Sequence, residues 1–465
     1  MRTPYIYVSD VDIVCKEFFN TDKDTYICVA VEQDTPLLED IPIDYLLYAD
    51  DLVLLSRSEK GLQNALNRLN DYCKDWKLNI NMEKTKIIVF NKSGKIIKNN
   101  LNIDNRKIEN VKTYRYLGLL FSASGKFTEA KKDLLHRGYK AMFKLTSMFK
   151  TTKPDFNTTM HLFDHIVKPV LLYGAEIWAD SIFSKNDNIY NALKNEIVEQ
   201  CHIKYCRYIL GVNKKAPNLG VYGDTGRFPI TINAAASVIK YWHRLMNLNS
   251  DYFNILKNAG SCNLNNSNIK HSWSSHLNNM LNFLSVDDHQ NIHSSKSFYV
   301  NNLYKRLKNT FKNSWNKELF SDVRKKSHGN KLRTYRTFKT QFCTEDYLTK
   351  CKNEIHRKQI ARFRLSAHKL NIERLRYVHP RIPPEERLCT NCSRNVCEDE
   401  LHFLMECDKY NSLRHVFFEK ISRHCHAFHD LAITNKFKFL CGSREEYIIK
   451  LLGDFISASF NARNN

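Results

Sequence analysis

Residues 43–56 read IDYLLYADDLVLLS, two apolar runs of strand length on either side of the acidic pair Asp50 and Asp51. Short apolar runs bounded by charge predict a buried β-hairpin with two carboxylates at its tip. A tight hairpin loop favours Asn-Gly or Asp-Gly because its central residues take positive φ, and Asp-Asp meets that demand without a glycine. Something other than turn geometry therefore favours the pair. Adjacent carboxylates between apolar strands repel each other and resist desolvation unless a cation sits between them or one is protonated. Magnesium or manganese, with oxygen ligands, meets that need. In phosphoryl transfer such metals clamp the attacking and leaving oxygens. A solvated acidic turn is the plainer alternative.

After the possible cap Ser58, Leu62, Ala65, Leu66, Leu69, Cys73 and Trp76 recur at helical steps and describe an amphipathic helix lying on a sheet. Ile87 to Phe90 and Tyr114 to Phe121 read as further strands, so an α+β unit is expected over residues 1–125. Phe127, Leu134, Gly138, Ala141, Met142, Leu145 and Met148 keep helical spacing, as do segments near 158–178, 191–210 and 232–247. Residues 126–258 are therefore expected to be helical. Residues 259–332, whose first part is rich in Asn, Ser and His, read as a linker or insertion. Residues 333–465 read as a basic, mostly helical region.

Within its surroundings, Tyr48-Ala49-Asp50-Asp51 resembles the YxDD motif of reverse transcriptases, and the flanking text resembles the non-LTR (LINE-type) branch. LQNALNRLNDYCKDWKLNINMEKTK is similar to that family's helix and turn after the hairpin, with Asn81, Lys84 and Thr85 matching N-x-x-K-[ST]. YRYLG at 114–118 looks like the next strand, whose turn supports the primer end. YGAEIW at 173–178 and LGVNKKAPNLGVYGDTGRFPI at 210–230 look like segments past the palm. The resemblance covers about 40–247 and 333–415. It implies a partial reverse-transcriptase palm, a helical thumb and a zinc-binding C-terminal segment. The activity implied is RNA-directed DNA polymerisation, with template RNA and primer DNA as partners. Asp50 and Asp51 would hold Mg2+ or Mn2+. Lys84 would protonate pyrophosphate or touch the phosphates, although a lysine near a strand start is often just solvated. Tyr48 and Gly118 would lie against nucleic acid.

The family's first acidic motif and its Gly-Gln motif have no recognisable match before Ile43. Asp34 and Asp44 lie near apolar residues but in no matching segment, and YVSDVDIVCKEFF resembles the family's segment just downstream of the Gly-Gln motif. The expectation is that the isolated chain, lacking a shared metal ligand and neighbouring strands, does not polymerise and exposes sheet edges and apolar faces. A non-catalytic nucleic-acid-binding protein of retrotransposon origin is the alternative.

Near the C-terminus, Cys389, Cys392, His402 and Cys407 are spaced as C-x2-C-x9-H-x4-C. Two knuckle thiolates with a distal His and Cys can close a tetrahedral zinc site, and the segment resembles the Cys-Cys-His-Cys element at the end of LINE-type enzymes. Cys397 lies in the same loop and leaves the ligand choice open, as does a reading of reduced cysteines beside a surface histidine. Residues 352–381 carry nine Lys or Arg against two Glu. Among them Arg357, Lys358, Arg362, Arg364 and Lys369 are expected to contact phosphates, with Phe363 and Tyr377 available for stacking, unless the helix is merely a solvated basic face.

The whole-chain balance of 71 Lys+Arg against 49 Asp+Glu, net +22, favours polyanion partners. Ribosomes, membrane surfaces and plain solubility share that signal. The longest apolar stretch, near 166–179, is broken by Lys168, Pro169 and Glu176 and is too short for a bilayer. MRTPYIYVSDVD has no apolar signal core, so an intracellular ribonucleoprotein, nuclear or cytoplasmic, is expected. The 14 cysteines then read as thiols or metal ligands. Oligomeric state is not legible.

Overall fold

Strands β1 (Tyr5–Asp10), β2 (Tyr45–Tyr48), β3 (Asp51–Ser56), β4 (Lys86–Val89) and β5 (Glu109–Asn110) form one sheet in the order β2-β3-β1-β4-β5. The computed structural model describes residues 5–10, 34–38, 41–43, 45–49, 51–183, 189–247, 273–284, 296–321 and 330–464. Asp50 and Asp44 lie outside the described residues. The chain divides into two compact units. The first is residues 1–136, 173–184 and 237–296; the second is residues 137–172, 185–236 and 297–465.

In the first unit, α1 (Glu59–Asp75) starts where predicted, with Ser58 as N-cap accepting from the Gly61 amide at 3.0 Å. Such a cap is worth about 1 kcal/mol. Leu62, Ala65, Leu66, Leu69 and Cys73 meet Leu52, Leu54, Ile87 and Val89 of the sheet in one core. Trp76 does not join them. The helix ends at Asp75, and Trp76 is 59% exposed beside Tyr72.

The acidic hairpin is buried on one strand only. Leu52, Val53 and Leu54 of β3 are buried, whereas Leu46, Leu47 and Tyr48 of β2 are exposed. The apolar exposure expected at this edge is present. Beyond the sheet, β6 (Thr113–Tyr116) and β7 (Leu119–Ser122) pair as a hairpin, and α2 (Thr128–Thr152) comes next in the chain.

The second unit is helical among its described residues. Its centre is α3 (Glu199–Leu210) with α4 (Asn218–Thr225), the latter drawn from the stretch that resembles the family beyond the palm. Gly223 explains part of that stretch: a Cβ there would stand 2.5 Å from Tyr335 Oη and 2.7 Å from the Trp315 ring. Its neighbour Asp224 is fully buried and accepts from Tyr335 (2.9 Å), Tyr347 (2.7 Å) and the Arg364 guanidinium (2.9 and 3.0 Å). Burial alone would raise the Asp224 carboxyl, but Arg364, Lys339 and the Tyr347 phenol hold it below its ordinary value.

Residues 259–332 are not featureless where they are described. They contain helices Trp273–Phe283 and Lys296–Phe320, and the second buries Leu303, Leu307, Phe311, Trp315 and Leu319. Toward the C-terminus lie α5 (Glu354–Arg364) and α6 (Glu446–Asn464).

Candidate metal and nucleic-acid sites

The hairpin register pairs Tyr48 with Asp51, and Asp51 opens β3. The left-handed conformation falls on Ala49, φ 54°. An alanine there costs about 1 kcal/mol relative to glycine. On the neighbouring strand the register sets Asp10 across from Asp51. Asp34, by contrast, lies at the other end of β3, where its carbonyl accepts from the Arg57 amide at 2.7 Å.

The β6–β7 turn belongs to the same site. Burial and then the charge of Asp51 raise the Tyr116 phenol above its ordinary value, which places Tyr116 within electrostatic reach of the acidic turn. The loop residues Leu117 (φ 46°) and Gly118 (φ 80°) both have positive φ, the pattern of a primed hairpin turn. Two side chains clamp it. Arg115 donates to the Gly118 carbonyl at 3.1 Å while holding Asp133 through two bonds of 2.8 and 2.9 Å, and Tyr173 Oη donates to the Leu117 carbonyl at 2.7 Å. A Cβ on Gly118 would stand 3.0 Å from the Tyr173 ring. Leu117 itself is 40% exposed. An exposed leucine in a left-handed position serves no packing purpose, and strain of this kind gathers at functional sites.

The N-x-x-K-[ST] motif has a structural explanation for two of its members. Asn81 Oδ1 accepts from the Glu83 and Lys84 amides, each at 3.1 Å, and Thr85, fully buried, donates to the Asn81 carbonyl at 2.7 Å. The turn feeds the chain into β4 and leaves Lys84 exposed.

At the C-terminal end, the ligand atoms of Cys389, Cys392, His402 and Cys407 all lie within 4.8 Å of one another. Cys389 and Cys407 sulfurs are 3.9 Å apart, and Cys392 Sγ is 3.4 Å from His402 Nε2. Local structure builds this arrangement. A bridge between Leu388 and Cys397 closes the knuckle loop, the Asn391 amide donates to Cys389 Sγ at 3.4 Å, and Asp399 Oδ1 accepts from the His402 amide at 2.8 Å. Burial raises the Cys389 thiol and pushes Cys407 up to about 12. As thiolates they would need a cation, so the donor set fits one metal ion. Cys397 stands apart: its thiol donates to the Pro384 carbonyl at 3.2 Å, and burial pushes it up to about 11.

The acids flanking these ligands anchor the surroundings. Buried Glu400 takes Arg333 (2.6 Å), Thr334 (2.8 Å) and His368 (2.8 Å), while Glu398 takes Arg463 of α6 at 2.6 Å.

The five basic residues expected on phosphates do not share one fate. Lys369 is exposed. Lys358 pairs with Glu354, Arg357 donates to the Cys351 carbonyl at 3.1 Å, and Arg362 donates to the Gly211 carbonyl at 2.7 Å. Arg364 is an interior residue, 4% exposed, committed to Asp224 and Glu345. Phe363 is core, whereas Tyr377 is 49% exposed with Lys215 Nζ 4.3 Å from its ring centre.

Residues 27–121, which include the acidic hairpin and the β6–β7 turn, match the family "Reverse transcriptase (RNA-dependent DNA polymerase)". This part of the chain is thus a palm-type reverse-transcriptase domain. Two similar proteins come from Drosophila melanogaster. The probable RNA-directed DNA polymerase from transposon BS is 28% identical over 156 residues, and the RNA-directed DNA polymerase from mobile element jockey is 25% identical over 154. These stretches cover 32% and 31% of this chain and 17% of each relative. A putative uncharacterized transposon-derived protein of Caenorhabditis elegans is 26% identical over 180 residues, 36% of this chain and 56% of its own length. The chain thus carries a reverse-transcriptase domain similar to those of transposon-encoded RNA-directed DNA polymerases, and it spans about a sixth of the length of the two Drosophila relatives.

Proposed function

We propose that this chain forms part of an RNA-directed DNA polymerase that copies the RNA of a mobile element into DNA. The observation that carries the reading is the acidic turn at Asp51 set beside the clamped Leu117–Gly118 turn, close enough for Asp51 to act on Tyr116. Asp50 and Asp51 hold Mg2+ or Mn2+, which supplies charge for the transferring phosphoryl group. Tyr48 and the Leu117–Gly118 turn lie against template RNA and primer DNA, and Lys84 serves the phosphates. The helices beyond the palm act as the thumb. The Cys389, Cys392, His402 and Cys407 cluster holds structural zinc: a tetrahedron with Zn–S of roughly 2.3 Å has S–S edges of about 3.8 Å and S–N edges of about 3.5 Å, close to the 3.9 and 3.4 Å separations. Lys369 contributes to phosphate attraction. The product acts as an intracellular ribonucleoprotein; among the described residues no helix is long and apolar enough to cross a membrane.

RNA-templated nucleotide incorporation by the native element-encoded product tests the reading. Changing Asp50 and Asp51 to Asn should lower it by at least about a hundredfold. Incorporation unchanged by both substitutions would refute the assignment. The alternative, a nucleic-acid-binding protein without chemistry, is favoured by the exposed basic surface of the second unit and would leave binding intact with no incorporation in either form.

A further inference from the structure

A cleft of about 750 Å³ opens in the second unit between the end of α2, the start of helix Phe156–Leu162, the end of α3 and the start of α5. Its lining has five cations, Lys150, Lys153, Lys352, Arg357 and Lys358, against two acids, Asp155 and Glu354. Both acids are engaged locally. Asp155 caps its helix by accepting from the Thr158 amide at 3.0 Å and hydroxyl at 2.6 Å, and Glu354 pairs with Lys358. Lys150, Lys153 and Lys352 have no ion-pair partner among the described residues. The cleft is therefore positive where a ligand would enter.

Its walls are not simply charged. Phe149, Tyr208 and Ile355 line the same space, with Tyr208 46% and Ile355 67% exposed. Tyr208 is steadied by its hydroxyl, which donates to the Thr146 carbonyl at 3.4 Å. The pattern continues along α2 toward its start. Tyr139 and Phe143 stack with ring centres 6.1 Å apart, Lys204 Nζ lies 4.6 and 4.9 Å from them, and Phe143 is 53% exposed. At 1.5 Å per residue, Phe143 and Phe149 are roughly 9 Å apart along the helix. Aromatic platforms at that spacing, flanked by lysines, suit successive bases of a strand whose phosphates meet the cations.

Lys153 adds an independent sign. It sits in the left-handed region, φ 44°, at the end of α2 and immediately before Pro154. Glycine or asparagine is the usual residue there, so a lysine accepts strain of about 1 kcal/mol to present a charge at the rim.

We propose that this cleft binds single-stranded nucleic acid, with phosphates on Lys150, Lys153 and Lys352 and an unstacked base against Tyr208 and Phe149. The volume accommodates one or two nucleotides, since small-ligand pockets span roughly 300–1,000 Å³. A duplex presents phosphates but hides its base faces, so the aromatic walls select against it. The proposal rests on the nucleic-acid part of the proposed function but needs no polymerase activity.

The test is fluorescence anisotropy with a labelled 12-nucleotide RNA strand and the corresponding RNA duplex, using the full chain. The double variant Lys153→Glu/Lys352→Glu should weaken single-strand binding at least tenfold and flatten its salt dependence. Tyr208→Ala should weaken it several-fold and leave the salt slope unchanged, because it removes stacking and no phosphate contact. The control Lys312→Glu/Lys317→Glu, on exposed positions of helix Lys296–Phe320, should change affinity less than threefold. Circular dichroism melts confirm that each variant folds. Single-strand affinity untouched by the cleft variants, or a loss matched by the control or by the duplex, would overturn the proposal while leaving the wider nucleic-acid reading in place. A wild-type chain that binds neither probe would overturn both.

Discussion

The two compact units of this chain use charge in opposite ways. Around Asp51 the groups are exposed or strained: Tyr48 and Leu117 face solvent, and Ala49, Leu117 and Gly118 all take positive φ. Around Asp224 and Glu400 the charges are buried and closely matched, each carboxylate meeting a guanidinium and hydroxyls. Buried charge without a partner costs several kcal/mol, so the second arrangement defines structure. Strain without packing gain has no such structural reason, and the proposed function assigns it to the chemistry.

The sharpest way to break this contrast is to remove the metal from the Cys3His cluster. Structural zinc contributes on the order of 10 kcal/mol in small domains, and here Glu398 and Glu400 tie the loop to Arg463, Arg333 and His368. Elemental analysis should find one zinc per chain, and chelation or Cys389→Ser should raise hydrogen exchange across residues 388–464. Cys397→Ser should leave both unchanged. Exchange unaffected by metal removal would end the structural reading.

Asp224→Asn comes next. It leaves Arg364 with less compensation, and we expect a loss of about 3–5 kcal/mol in denaturant unfolding. Asp133→Asn, on α2, removes the partner of the half-exposed Arg115 that clamps the β6–β7 turn and should cost under about 1 kcal/mol. Similar losses at the two positions would erase the distinction.

A smaller effect depends on pH. Asp164 accepts from Arg227 at 2.6 Å, with a second Arg227 contact at 2.5 Å, and from Lys168 at 3.0 Å. Burial opposes ionisation, yet these cations hold its carboxyl down at about 2 instead of 3.8. A depressed folded-state pKa contributes stability present above 3.8 and lost as pH falls through about 2. The contribution at neutral pH is about 2 kcal/mol. The stability gap between wild type and Asp164→Asn should therefore narrow over that acid range, and a gap constant with pH would contradict the assignment.

The smallest change is also the one whose sign matters most. Leu117→Asn places a residue suited to positive φ in the turn and should raise stability by up to about 1 kcal/mol. If the turn serves the primer end, the same variant should extend a primer less well. A substitution that leaves both stability and extension as they were would remove strain from the account.

Much of this was legible because the signals are local. The Ser58 cap and the Leu62–Cys73 periodicity gave α1, and the knuckle spacing gave four candidate ligands, which converge. Trp76 misled because periodicity continues one step past the end of the helix. Helix Lys296–Phe320 escaped notice because Asn and Lys dilute its apolar stripe, although Leu303, Leu307, Phe311, Trp315 and Leu319 keep the spacing. Arg364 read as one more cation in a basic helix. Its partners Asp224 and Glu345 are distant in sequence, and only tertiary structure reveals such pairs. Cys397 was ambiguous for the same reason, resolved by the Pro384 carbonyl that takes its thiol.

The central claim is that the acidic hairpin holds a divalent cation beside the Leu117–Gly118 turn. Iron-mediated hydroxyl-radical cleavage tests it directly, since Fe2+ taking the Mg2+ position cuts the backbone around it. The account predicts cuts near residues 48–52 and 116–118, competed by Mg2+ and absent from the Asp50→Asn/Asp51→Asn double variant. Cleavage elsewhere, or cuts at those positions that persist in the double variant, would contradict it.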